Sequence, residues 1–471
     1  MLRRASSVPS WPPASIREGE TEEERKARTR EEAEAKRVSD AIDRQIETDR
    51  QQKKLSGAKI LLLGQAESGK STVLKNFQLH FAPKAFEIEA EVWRPVIHLN
   101  LVRSVNFVVN YISTRNQGIR DALLGHERRA SNSGPLTADL RKLCIRLAPL
   151  RQVEENLIKI LSGRLPPRSL DDPIGLVNQA YNPAKAPEVS IPSGSGWKQA
   201  LSLKRRSEES QKTRSSAERS EDGQSRRILA ALGDDIAALW RDPVVQQTLK
   251  AAEIALDEQP GFFLDQVQRI TSEDYKPRPE DVLKARVTTI GPEEHQIIAE
   301  NGPDNARRWT IYDVGGSKGQ RATWAQFFDD VNIIIFLAPM SGFNQVLAED
   351  ESVNRLTDSI RLWQMICSNK ILSNIEFVLF LNKLDILDSK LKSGIQFSSF
   401  VTSYVNKPNE TKPVAKYLLD VFVSMHQQYS PKRRKLHPHL TCAVDTKATA
   451  SVIHRIQDLI LVKLLSQTNI L

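Results

Sequence analysis

Residues 59–74 read KILLLGQAESGKSTVL. The apolar run 60–63 is predicted as a buried β-strand, 64–69 as a turn, and the residues from Lys70 onward as the start of a helix. Successive amides in such a turn point inward and wrap a polyphosphate, while the helix N-terminus adds partial positive charge. The spacing fits GxxxxGK[ST] without a gap, so Lys70 is expected to reach the terminal phosphates and the Ser71 hydroxyl to ligate Mg²⁺. An ordinary Gly/Ser turn between a strand and a helix would use the same residue types, and the pattern leaves the base unspecified.

The chain has 471 residues, room for about three units at ~150 residues each, fewer once its basic, apolar-poor stretches are discounted. Hydrophobic residues make up 40%, enough for a core of ordinary size. No run of 18 uncharged apolar residues suggests a transmembrane span, so a soluble protein is expected. The net charge of +9 raises nucleic acid or an anionic membrane as partners. The basic excess is scattered over MLRR, SLKRR, Arg226 with Arg227, and 432–435, so no nucleic-acid-reading element is expected. Cys144, Cys367 and Cys442 are too far apart for a metal cluster or a disulfide framework, which points to a reducing cytosolic setting. The N-terminal MLRRASSVPSWPP lacks the apolar region of a secretory signal. Residue 2 is Leu and no Cys precedes Cys144, so no N-terminal lipidation site is expected.

Residues 17–54 are dense in Glu, Arg, Lys, Gln and Ala, which predicts a long solvated helix. Its thin stripe of Ala41, Ile42 and Ile46 suits either a partner-binding helix or a merely exposed one. Residues 77–114 carry Trp93, Val96, Leu99, Val102, Val105 and Val109 at helical spacing, and 136–161 continue the pattern. From 163 to about 227 the chain turns rich in Pro, Gly, Ser and charge, and is expected to be mostly a disordered insertion. Helical pattern resumes at 228–240, 244–254 and 262–270. Strands are expected at 308–314, 331–338, 375–381 and 440–444, with helices at 353–367, 415–427 and 449–465; 397–405 stays open. Strands alternating with helices predict an α/β sheet covered on both faces. The all-helical stretch between the phosphate loop and these strands is expected to be an inserted domain. The expected division is a charged extension over 1–56, an α/β domain from 57–76 and 283–471, and a helical domain over 77–282.

RWTIYDVGG, at 308–316, ends a predicted strand with Asp313, suited to a Mg²⁺-bound water, and Gly316, whose amide can approach a γ-phosphate. FLNKLD, at 380–385, puts Asp385 where its carboxylate can accept from N1–H and the 2-amino group of guanine, a donor pair that adenine lacks. Asn382 would brace this loop and Lys383 would pack its stem over the ring. TCAVDT, at 441–446, adds the Ala443 amide toward the guanine carbonyl.

These pieces, together with DVLKARVTT, Gln320, Arg321 and Trp324 after DVGG, VLAEDESVNRL, ALWRDPVVQ and YKPRPEDVL, resemble the alpha subunits of heterotrimeric G proteins. The likeness runs from about Ser39 to the C-terminus apart from the insertion. It implies a Ras-like P-loop GTPase domain with a mostly parallel sheet, interrupted by an all-helical domain that closes over the nucleotide. It also implies GTP or GDP with Mg²⁺, a beta-gamma dimer and a G-protein-coupled receptor as partners, and the cytoplasmic face of the plasma membrane, or the cytoplasm, as location. Nucleotide contacts are expected from Gly64, Glu67, Ser68, Gly69, Lys70, Ser71, Thr72, Arg286, Thr289, Asp313, Gly316, Asn382, Lys383, Asp385, Cys442 and Ala443. Ser71, Thr289 and, through water, Asp313 would hold the metal. Arg286 resembles the built-in arginine finger of phosphoryl transfer. Glu67 is expected to pair with Arg286, and Arg321 to pair across to the third switch, which carries Glu349, Asp350 and Glu351, with Asp358 as a stand-in partner. Without a lipid acceptor, attachment would rest on the N-terminal helix, a beta-gamma partner, or the basic run 432–435, which reads equally as a solvated loop.

The departures lie beside the reaction centre. The family's DVGGQ is DVGGS, so Ser317 stands where a glutamine orients attacking water, and the family's GAGESGKS is GQAESGKS, placing Ala66 at a glycine position. Thr288 and Ile290 also differ from the family's lysine and threonine, and the chain ends SQTNIL without the family's cysteine. The expectation is that GTP and Mg²⁺ bind while hydrolysis, by Arg286, Lys70 and Ser317 at the usual glutamine position, is slow. The alternative is a non-catalytic, GTP/GDP-dependent interaction module.

Overall fold

A computed structural model of the chain describes residues 21–123, 137–162, 216–252, 254–286, 292–300, 308–431 and 434–467. The chain divides into two units, Met1–Ser56 and Gly57–Leu471. The described part of the first is one helix, α1 (Glu22–Leu55), whose described side chains, Val38 and Ile42 included, are exposed.

The second unit is built on a sheet. In chain order its strands are β1 (Ser56–Gly64), β2 (Glu293–Ile298), β3 (Arg308–Asp313) and β4 (Ile333–Pro339). A two-stranded ribbon of β5 (Val346–Leu347) and β6 (Asp350–Asn354) precedes β7 (Glu376–Asn382) and β8 (Leu436–Leu440). The six-stranded order is β2-β3-β1-β4-β7-β8. β4 runs parallel to both β1 and β7, and β7 parallel to β8, while β2 pairs antiparallel with β3.

Strand alternation explains why the central strands are apolar throughout. Ile333, Ile335 and Leu337 of β4 face one core; Ile334, Phe336 and Ala338 face the other. The first core is closed by α2 (Lys70–Phe81) and by Ile453, Ile456 and Ile460 of the C-terminal helix (Thr446–Gln467). The second is closed by helices Arg355–Ser368, Leu384–Lys392 and Thr411–Tyr429, with Trp363 fully buried among Phe336, Phe377 and Phe422.

A third core belongs to the helices between α2 and β2: α3 (Pro83–Ala90), α4 (Arg94–Leu123), α5 (Ala138–Arg146), α6 (Leu150–Ser162), α7 (Ser216–Arg241), α8 (Pro243–Ala251) and α9 (Pro279–Lys284). Val96, Val105, Leu150, Leu157, Leu229 and Ile236 interlock at its centre. We number the later helices α10 (Arg355–Ser368), α11 (Leu384–Lys392), α12 (Thr411–Tyr429) and α13 (Thr446–Gln467).

Several expectations are corrected. Residues 77–81 continue α2, where Phe77 and Phe81 pack in the sheet core with Trp309 while Leu79 packs against the helical core, so α2 spans the border. Helical periodicity is the same on both sides of that border; only the packing partner changes. Helix α7 begins at Ser216, inside the stretch expected to be a disordered insertion; residues 163–215 lie outside the described residues. Of 262–270 only Val267–Ile270 is α-helical. The last strand is Leu436–Leu440 rather than 440–444, an edge strand that tolerates Pro438, and Thr441 to Asp445 form a loop. The open stretch 397–405 is a short turn of 3₁₀ helix, Phe397–Ser399, followed by turns. Strand β2, whose sequence EEHQII shows little apolar alternation, was not anticipated. Arg434 is buried: its guanidinium donates to the Cys367 and Asn369 carbonyls and lies over the Phe377 ring, so its charge does not extend the basic run outward.

Candidate functional site

The C-terminal ends of β1, β4 and β7 meet in register, with Gly64 opposite Leu337 and Pro339 opposite Asn382. Above them lies a cavity of about 790 Å³ lined from the sheet side by the phosphate loop, Asp313 to Ser317, Lys383 and Asp385, and from the helical core by Trp93, Asp257 and Phe262.

The phosphate loop turns as its sequence predicts. Gly69 (φ 103°) leads into α2, and Lys70 Nζ donates within the loop to the carbonyls of Gly64 (2.9 Å) and Gln65 (2.7 Å). Burial holds the Lys70 ammonium down at about 8, against the pull of Asp313. Ser71 Oγ donates to Asp313 Oδ2 at 2.7 Å. Burial pushes the Asp313 carboxyl up, opposed by Lys70 and Ser71, and Asp313 Oδ1 is buried with no hydrogen-bond partner. A hydroxyl and a carboxylate, with one oxygen uncommitted, form a hard-oxygen donor set that fits Mg²⁺. Thr289 lies outside the described residues.

The base side is braced by Asn382. Its Nδ2 donates to the Ser68 carbonyl (2.8 Å), and its Oδ1 accepts from the Ala443 amide (3.1 Å) and Thr441 Oγ1 (3.2 Å). Asn76 of α2 donates to the Ala443 carbonyl (2.7 Å), tying the two loops to the phosphate helix. Asp385 is exposed into the cavity. Lys383 takes φ 63° at the start of α11; burial and the nearby Arg355 bring its ammonium down to about 8. Thr72 and Ala443 line the cavity; Gly64, Ser68 and Cys442 do not. The Cys442 thiol is pushed up to about 11 by burial and the neighbouring Asp385.

Arg286 and Glu67 meet as expected, Nη2 to Oε1 at 2.7 Å. The structure adds a third member, Arg355 of α10, which reaches Glu67 Oε2 (2.9 Å) and the Ala66 carbonyl (2.8 Å). Burial alone would raise the Glu67 carboxyl, but Arg286, Arg355 and Lys383 overcome it and hold it at about 2. Arg286 is positioned from the helical core: its amide donates to Asn100 Oδ1 (2.8 Å), and Lys75 of α2 clamps the Val282 and Ala285 carbonyls just before it.

Arg321 donates to Asp358 through its two terminal guanidinium nitrogens, at 3.0 and 2.7 Å. Gln65, fully buried, also donates to Asp358 (2.6 Å) and to the Arg355 carbonyl (2.7 Å). Gly316 is pressed onto this loop, since a Cβ there would strike the Gln65 carbonyl group and the Ala66 amide. Lys318 reaches Glu349 through its amide (3.2 Å) and Asp350 through Nζ (2.6 Å), joining the segment after DVGG to the acidic stretch. The Gln65, Arg355 and Asp358 cluster was missed from sequence because its partners lie nearly 300 positions apart. Glu293, opposite Asp313, and its partner His295 (3.0 Å) also line the cavity and went unanticipated with β2.

With a phosphate loop on a central strand and base-facing loops at the next strand ends, the chain is of the P-loop nucleotide-binding class. The model of the G-protein alpha subunit family matches residues 36–460, and the chain belongs to that family. It is 30% identical over 480 residues to the guanine nucleotide-binding protein alpha-4 subunit of Mycosarcoma maydis, covering 86% of this chain and 82% of the relative. A G(o) alpha subunit of Geodia cydonium is 28% identical over 445 residues, covering 94% and 98%. The human subunit alpha-12 is 34% identical over 227 residues, covering 48% of this chain and 57% of its own. Members of the family are GTP-binding signal transducers and GTPases that work with beta-gamma dimers and receptors.

Proposed function

We propose that this protein is a switch that holds Mg²⁺-GTP and hydrolyses it slowly, with a beta-gamma dimer and a G-protein-coupled receptor as partners, at the cytoplasmic face of the plasma membrane or in the cytoplasm. The observation that carries the slow hydrolysis is the contact of Gly316 with the Gln65–Ala66 backbone. Ala66 lines the cavity within the phosphate loop, so its methyl adds bulk there that a glycine would not.

Lys70 and the loop amides would bind the terminal phosphates, and Asp385 with the Ala443 amide would select guanine. Ser71 and Asp313 are the described residues that would hold Mg²⁺, which supplies neutralising charge to the phosphates when bound. Arg286, held beside the loop by Glu67, would add positive charge as the γ-phosphoryl group transfers to water. The exposed side chains of α1 suit it to a partner surface.

Single-turnover GTP hydrolysis by the purified chain tests this. The expected rate is below that of ordinary alpha subunits and rises in Ala66→Gly with Ser317→Gln. An ordinary rate that neither substitution changes would sink the proposal, and no hydrolysis with intact GTP-dependent partner binding would favour a non-catalytic module.

A further inference from the structure

The side chain that takes the glutamine position, Ser317, is not idle. It opens a ten-residue 3₁₀ segment, Lys318–Phe327, and its Oγ donates to Gln320 Oε1 at 2.9 Å while the Gln320 amide donates back to the Ser317 carbonyl at 3.0 Å. Ser317 itself is extended (φ −67°, ψ 154°) and caps the segment, so its hydroxyl reaches the side chain three residues on, in the first turn.

Gln320 is half-buried and lines the cavity together with Gly315, Gly316 and Ser317. Its carboxamide lies directly on Gly315: a Cβ at that position would run into Gln320 Oε1 and Cδ, with Nε2 3.0 Å away. Gly316, next in the chain, abuts the phosphate loop at Gln65 and Ala66. The carboxamide thus lies against Gly315 and borders the cavity that Lys70, Ser71 and Asp313 also line. Neighbouring contacts fix the segment: Trp324 Nε1 donates to the Gly315 carbonyl (2.8 Å), and Arg321 Nε to that of Gly316 (3.2 Å).

We propose that Gln320 supplies the carboxamide that orients the attacking water, and that Ser317 is its positioning residue. This rests on the reading of the protein as a GTPase and names which residue performs its residual chemistry. The Ser317 hydroxyl fixes the carboxamide rotation by occupying one lone pair of Oε1; the second lone pair and the two N–H groups of Nε2 remain for water and phosphate oxygen. The water oxygen bonds to the γ-phosphorus as the bond to the bridging oxygen breaks. The bridging oxygen leaves with GDP, and the water's proton ends on the released phosphate. Gln320 neither gains nor loses a proton. A water-orienting group displaced by three residues keeps the chemistry available while the Ala66 methyl still slows it.

The test uses the full chain in two assays: single-turnover GTP hydrolysis, and binding of GDP with aluminium fluoride, a mimic of the transferring phosphoryl group, measured by calorimetry. Gln320→Ala is expected to lower the rate and weaken the aluminium fluoride complex each by roughly 10- to 100-fold. Affinities for GDP and a non-hydrolysable GTP analogue should stay within about twofold, which a merely structural role in an uncoupled segment would not separate. Ser317→Ala should lower both readouts less, and Ser317→Gln in the Gln320→Ala background should restore them. Unchanged hydrolysis and unchanged aluminium fluoride binding in Gln320→Ala overturn the proposal, as does a wild-type chain that shows neither activity. A fast wild-type rate that falls on Gln320→Ala removes only the slow-hydrolysis reading, whereas a slow rate indifferent to Gln320→Ala removes only this one.

Discussion

Replacing Glu67 by Gln keeps the side-chain volume and removes the charge that holds two arginines. Glu67 accepts from Arg286 at 2.7 Å and from Arg355 at 2.9 Å, with all three side chains at most 24% exposed. Its carboxyl stands at about 2 against an ordinary 4.5, equivalent to about 3 kcal/mol of preference for the charged form in the folded protein. A depressed carboxylate contributes its stability above its unfolded value and loses it as pH falls from about 4.5 toward about 2, so the contribution is complete at neutral pH. Because Arg286 is held by Asn100 of the helical core while Glu67 sits in the phosphate loop, the lost energy falls on the contact that closes the cavity. Glu67→Gln should therefore speed GDP release by roughly 10- to 100-fold, at about 1.4 kcal/mol per factor of ten. Release of a fluorescent GDP analogue measures this, with the ratio to wild type constant from pH 5.5 to 8. Release within twofold of wild type, or a ratio that vanishes at pH 5.5, would refute the assignment of the closing energy to this carboxylate.

Two further outcomes follow from the same site. Lys70 stands at about 8, and phosphate would draw it up, so nucleotide binding takes up a proton above that value. Affinity for GDP, measured by calorimetry, should be flat below pH 7 and fall above pH 8 by up to about tenfold per pH unit; a flat profile to pH 9.5 would contradict the role of Lys70 at the phosphates. Asp385→Asn exchanges an acceptor for a donor opposite the guanine 2-amino group, so GDP should bind roughly 100-fold more weakly while xanthosine diphosphate improves; competition binding with both nucleotides decides it.

What was legible in the sequence was what rests on short spacing. GQAESGKS placed a strand, a turn and a helix within sixteen residues, and the apolar runs of β4 and β7 could only be strands buried on both faces. DVGG, NKLD and TCAVDT fell at strand ends because a parallel sheet puts its variable loops at one edge. The error at β8 shows the limit: LHPHL is an edge strand recognised only by its pairing with β7, while the more apolar residues after it are a loop held by Asn382.

Tertiary structure decided the rest. That Gln65 leaves the phosphate loop to share Asp358 with Arg321, and that Arg355 joins Arg286 on Glu67, depends on α10 returning to the loop after nearly 300 residues. No local preference encodes such contacts, because their energy exists only when the sheet brings distant side chains within hydrogen-bond distance. The same holds for residue 317. The sequence shows a serine in place of a glutamine; the 3₁₀ turn that follows it determines that a glutamine stands over it after all.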